Sequence, residues 1–217
     1  KYFGKKDKFV VIPNFIKSFS DLGSVDQKID FKNTSANRKG YYFCSVGNLR
    51  KIKGYDLLLK AFYKAFKDND EVFLRIAGSG PLKKELEQLS KELSLTQKIE
   101  FLGSLKKDQV YKLLENSDCF VSSSLFETFG VSIIEALFSG LPVIATRCGG
   151  PEDTIDETNG ILVPPNDVEQ LSKALLWIYQ NHNAFDREQI KRNAMAKFGE
   201  KTVVAKLVDL YIHTLEL

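Results

Sequence analysis

From residue 41 to the end of the chain, apolar positions follow two patterns in alternation. Short continuous runs, "YYFCSVG" (41–47), "EVFLRIAG" (71–78), "KIEFLG" (98–103), "DCFVSSS" (118–124), "PVIAT" (142–146) and "GILVPP" (160–165), read as strands buried on both faces. Between them lie stretches with helical spacing. "YDLLLKAFYKAF" (55–66) puts Leu58, Phe62 and Ala65 on one face, and "PLKKELEQLSKEL" (81–93) is amphipathic with Pro81 at its first turn. "KDQVYKLLENS" (107–117), "VSIIEALFS" (131–139) and "DVEQLSKALLWIYQ" (167–180) are further helices, and Gly140 stands where a C′ glycine belongs. Two helical stretches, about 184–197 and 200–215, close the chain. Before residue 41 there is one apolar run, Val10 to Ile12, stopped by Pro13 and Asn14, and then a polar loop over 20–39.

Strands alternating with helices in this way require crossover connections. The expected fold is therefore α/β: a Rossmann-like parallel sheet sandwiched by helices. A length of 217 residues with 43% hydrophobic content suffices for one core. A net charge of +3 is too mild for a nucleic-acid partner. The Lys-rich start "KYFGKKDK" reads as a solvated terminus, with peripheral contact to an anionic membrane as the lesser reading. Three cysteines, an odd count without metal-ligand spacing, fit a reducing, cytoplasmic compartment. Cys44 and Cys119 fall within strand runs as packing residues, while Cys148 borders a Gly-Gly turn. His182 and His213 read as surface positions, and Trp177, beside Leu171, Leu175 and Ile178, as core. No apolar run is long enough to span a bilayer and no signal peptide is evident. The chain begins at Lys1, and a piece of a longer protein is expected.

In open parallel sheets ligands sit outside the carboxyl ends of the strands. Four loops there carry glycine and polar residues: 47–54, 78–81, 103–106 and 124–130. "GSGP" (78–81) is a weak dinucleotide fingerprint, because the third glycine would fall at Lys83 and the following acid, Glu100, lies inside a strand run; a tight turn explains it as well. Lys53 precedes a glycine and a helix, so its ammonium would hang over a helix N-terminus suited to an anion. Glu127 precedes the helix at Val131, and Glu135 lies about 6 Å along that helix among apolar neighbours. A carboxylate there needs hydrogen-bond donors, which a sugar or ribose diol would supply.

These motifs carry a family resemblance. "SVGNLRKIKGYDLLLKAF", "FLRIAGSGP", "IEFLGSL", "SSLFETFGVSIIEALFSGLPVIATRCGGPEDTI" and "NGILVPPND" resemble, in order, the C-terminal donor-binding domain of retaining glycosyltransferase family 4, of the GT-B fold. The resemblance implies an interdomain linker and first strand over 1–19, a donor domain over 20–199 and a crossover helix over 200–217. It implies a hexose-type sugar moved from a UDP-, GDP- or ADP-sugar to a glycan or lipid-linked acceptor, with no cofactor and no metal. By position, Glu127 would contact the donor sugar and Thr128, Phe129, Gly130 and Val131 would face sugar and phosphates. Glu135 would hold the ribose, Lys53 the diphosphate, and the main chain at Leu105 the base. Glu127 and Lys53 are the catalytic candidates. Asn48 stands where the family has arginine, a departure that removes a bidentate phosphate partner. Arg50 and Lys51 are the nearby cations that could compensate. The acceptor site is expected in an N-terminal domain of the same protein, so this chain alone should not turn over. A nucleotide-sugar epimerase, a phosphorylase or a non-catalytic nucleotide-sugar-binding subunit are the alternatives.

Overall fold

The computed structural model describes residues 12–13 and 40–215. The Lys-rich start, most of the first apolar run and the 20–39 loop lie outside the described residues. Residues 12–13 have no regular structure.

Six parallel strands form one sheet: β1 (Tyr41–Val46), β2 (Val72–Ala77), β3 (Ile99–Gly103), β4 (Cys119–Ser122), β5 (Val143–Thr146) and β6 (Gly160–Val163). Their order is β3-β2-β1-β4-β5-β6, with registers such as Phe43 beside Leu74 and Cys119. The helices are α1 (Tyr55–Phe66), α2 (Lys83–Glu92), α3 (Lys107–Glu115), α4 (Val131–Phe138), α5 (Val168–Gln180), α6 (Arg187–Phe198) and α7 (Glu200–Leu215). Every strand and helix expected from residue 41 onward is present, with ends displaced by a few residues. Gly140 has φ +73° after α4, as a C′ glycine does. Asp167 caps α5 by accepting from Gln170 N at 2.9 Å, and Asp186 caps α6 by accepting from Gln189 N at 3.0 Å.

Right-handed crossovers place helices on opposite faces according to the direction in which the chain leaves β1. Accordingly α1 packs with α2 and α5 in one layer, and α4 packs with α6. An ion pair from Lys64 on α1 to Glu169 on α5 ties the first layer at its surface. Phe43, Phe62 and Phe66 fill the space under α1, with ring centroids 5.2–6.3 Å apart. Cys44 and Cys119 are fully buried, and burial pushes the Cys44 thiol up to about 12.

Trp177 corrects the sequence reading. It is 45% exposed and meets Phe185 edge-on, with centroids 6.2 Å apart. The buried apolar positions of α5 are Leu171, Ala174, Leu175 and Ile178, so Trp177 falls beside that stripe rather than in it. Among the described residues no helix is long and apolar enough to cross a membrane. The strand order reverses between β1 and β4, and the crevice at their carboxyl ends is where such sheets bind ligands.

Candidate functional site

The loop after β1 is built by close backbone contact. Leu49 N donates to Ser79 O at 2.9 Å, Leu82 N to Leu49 O at 3.1 Å, and Gly78 N to Gly103 O at 2.7 Å. The loops after β1, β2 and β3 are thus laced together. Gly78 (φ +146°) and Gly80 lie where the backbones touch: a Cβ would stand 1.9 Å from Gly47 O and 2.5 Å from Leu49 O respectively. This is the physical reason for the "GSGP" glycines. Glu100, the acid a dinucleotide fingerprint would use, lies in β3 and pairs with buried Arg75 at 3.4 Å.

A 3-10 turn, Lys51–Lys53, then leads through Gly54 into α1. The β4 loop fixes this turn, since Ser123 Oγ donates to Lys53 O at 3.0 Å and Leu125 N to Ile52 O at 2.7 Å. Beyond β4, Glu127 N donates to Cys148 O at 3.1 Å and accepts at its carbonyl from Gly150 N at 2.8 Å. Phe129 rests edge-on against Phe198 of α6. Gly130, with φ +80°, turns the chain into α4. The first amides to bond within that helix are those of Ile133 and Ile134, both to Gly130 O, so its N-terminus keeps donors for the crevice.

These elements enclose a cleft of about 500 Å³. Asn48, Lys53, Leu105, Glu127 and Thr128 line it, as do Phe129, Gly130, Val131 and Glu135; all nine sequence-selected positions meet at one place. Lys53 Nζ donates to the Glu127 carboxylate, and both side chains are largely shielded from solvent. Asn48 is exposed on the wall, whereas Arg50 and Lys51 are exposed outside the lining, so neither stands in for the missing arginine. Sequence reasoning left unassigned Ser79, Ser104, Val110 and Ser132, which also line the cleft. Ser104 Oγ donates to Ser79 Oγ at 2.8 Å; both serines sit in or beside loops already marked by their glycines.

Glu135 is half-buried, and among the described residues nothing donates a hydrogen bond to its carboxylate. Burial raises its pKa above the usual carboxylate range, and Lys107 opposes that only in part. A raised folded-state pKa means that stability falls as pH rises from the ordinary glutamate range through the raised value. Glu135→Gln should therefore raise Tm by roughly 1–4 °C at pH 7, a gain that vanishes near pH 4. Thermal melts at the two pH values check this.

A cation, two carboxylates and free helix amides around one crevice can take an anion and a polyhydroxyl group side by side. Residues 26–201 match the family model described as "Glycosyl transferases group 1". The chain is 30% identical to an uncharacterized glycosyltransferase of Methanocaldococcus jannaschii, over 98% of this chain and 56% of that protein. It is also 30% identical to the GDP-mannose-dependent monoacylated alpha-(1-6)-phosphatidylinositol monomannoside mannosyltransferase of Corynebacterium glutamicum, over 94% of this chain and 54% of that one. The fold matches Anabaena HepE, crystallised in complex with UDP, with TM-score 0.73 and 22% identity, over 81% of this chain and 49% of that one. The chain spans about half the length of the relatives it matches. With its six-stranded parallel sheet, the chain belongs to the glycosyl transferases group 1 family, as the C-terminal domain of a GT-B glycosyltransferase.

Proposed function

We propose that this chain is the donor-binding half of a retaining glycosyltransferase that moves a hexose-type sugar from a nucleoside diphospho-sugar. The observation that carries this reading is the meeting of Lys53, Glu127, Glu135 and the α4 N-terminus around one cleft. When the donor's glycosidic bond breaks, negative charge builds on the departing diphosphate, and stabilising it is the largest task for the site. Lys53 and the amides at Val131 and Ser132 carry that charge. Glu127 orients the sugar hydroxyls and steadies positive charge at the ring, while Glu135 accepts from the ribose diol, which supplies the donors its carboxylate needs. Leu105 offers its main chain to the base. No cofactor enters this scheme.

The Corynebacterium relative is GDP-mannose-dependent and HepE was crystallised with UDP, which supports a nucleoside diphosphate as the common element. The acceptor, a glycan or lipid-linked glycan, binds an N-terminal half that closes over the cleft, in the cytoplasm and, for a lipid acceptor, at the inner membrane face. Exposed Ile52, Leu125 and Phe126, joined through the Leu125 N to Ile52 O hydrogen bond beside Glu127, offer an apolar ledge for that closure. The chain alone therefore binds donor without acceptor-dependent transfer.

Calorimetric titration with UDP-, GDP- and ADP-sugars tests this. Binding to one set is expected, weakened by Glu127→Gln; no binding to any would end the donor-domain reading. In the same titration Asn48→Arg should tighten the diphosphate by about tenfold, because a guanidinium restores a charge-assisted bond. Unchanged affinity would remove position 48 from phosphate recognition.

A further inference from the structure

Beneath the cleft lies a second, water-sized chamber of about 10 Å³. Its walls are hydroxyl-rich: Ser45, Tyr55, Ser122, Ser124 and Ser132. Val46, Lys53 and Ser132 wall both the chamber and the cleft, so the two spaces share a partition that includes the candidate diphosphate lysine. Tyr55 and Ser45 are each 3% exposed, and the Tyr55 hydroxyl is hydrogen-bonded to the Ser45 side chain. Gly47 ties the tyrosine to the lysine: a Cβ built there would stand 3.1 Å from the Tyr55 hydroxyl oxygen and 4.0 Å from Lys53 Cε. Burial pushes the Tyr55 phenol up to about 12, so it stays a neutral hydroxyl throughout the working pH range.

An ammonium carries three protons and needs three acceptors when water is excluded. Glu127 takes one, and a diphosphate oxygen in the cleft takes a second. The third must find oxygen inside the protein, or the desolvated cation loses a charge-assisted hydrogen bond. A chamber of this size with several hydroxyls around it fits one bound water, which needs two to four polar partners. Resting on the proposed diphosphate role of Lys53, we propose that Tyr55 is a positioning residue: its hydroxyl and Ser45, through one water held in the chamber, take the third ammonium proton and keep Lys53 aimed into the cleft. Tyr55 touches no donor atom, and its effect passes through Lys53 alone.

The test compares Tyr55→Phe and Ser45→Ala with the parent chain, using UDP and GDP beside uridine and guanosine as probes in calorimetry. Removing the hydroxyl should weaken diphosphate binding about three- to tenfold and leave nucleoside binding unchanged, with Tm within a few degrees of the parent. Ser45→Ala, which deletes the partner rather than the phenol, should produce the same selective loss. A variant that binds diphosphate as the parent does, or that loses nucleoside and diphosphate in equal proportion, overturns the positioning role while the donor-site reading stands. A parent chain that binds neither diphosphate overturns both.

Discussion

Replacing Lys53 by methionine should weaken binding of nucleoside diphosphates by about 10- to 100-fold, the range expected when a hydrogen bond between two charged groups is lost. Methionine keeps the length and packing of the stem, so the change isolates the charge. The loop that holds residue 53 is fixed through its backbone, by Ser123 Oγ on the Lys53 carbonyl and Leu125 N on the Ile52 carbonyl, and neither contact uses the side chain. The fold should therefore survive. What the variant does leave behind is the Glu127 carboxylate, mostly shielded and stripped of its cation. An anion beside an arriving diphosphate repels it, so Lys53→Met loses affinity twice, once by missing attraction and once by exposed repulsion. The double variant Lys53→Met with Glu127→Gln separates the two, and should regain part of the affinity. Calorimetry with UDP and GDP measures the loss, while uridine and guanosine, which lack the charge, should bind each variant alike. Equal binding of the diphosphates to Lys53→Met would place the phosphates somewhere other than the α4 N-terminus.

The sheet and its helices were legible because each element announces itself within a dozen residues. The apolar run of β1, the stripe of α1 and the glycine after α4 are local signals set by burial and backbone geometry. The fold then brings the loops to one edge, so positions chosen from separate loops meet in a single cleft. The Lys53–Glu127 pair was not legible, since its members stand 74 residues apart and each looks alone like an ordinary loop charge. The same holds for the chamber under the cleft. Ser45, Tyr55 and Ser122 sit in three elements, and no spacing along the chain says that their hydroxyls converge. Trp177 failed for a different reason. A helical stripe is about 100° wide, and a tryptophan at its margin has the hydropathy of a core residue while standing half in water. Arg50 and Lys51 illustrate the converse, because adjacency to Lys53 in the chain does not turn a side chain into the cleft.

The second large effect is structural, and it comes from a single methyl group. Gly78→Ala should destabilise the chain by about 3 kcal/mol or more, a Tm loss of roughly 6–12 °C for a domain of this size. At φ +146° an L side chain is strained whatever surrounds it, and here the added Cβ would stand 1.9 Å from Gly47 O and 2.9 Å from Gly47 C. Neither neighbour can swing aside as a side-chain tip would, because both belong to the backbone of the loop that continues β1. Relief requires the loops after β1 and β2 to part, which breaks the Leu49 N to Ser79 O bond and displaces Asn48 on the cleft wall. Nucleotide affinity should fall together with stability, and calorimetry below the lowered Tm would register both. Gly103→Ala is the control that isolates the cause. Gly103 also has positive φ, +70°, yet a Cβ there meets nothing within 4 Å, so its cost should be confined to about 1–2 kcal/mol of left-handed strain. If the two alanines melt together, the close approach of the Gly47 carbonyl is not what position 78 accommodates, and the lacing of the loops does not depend on it.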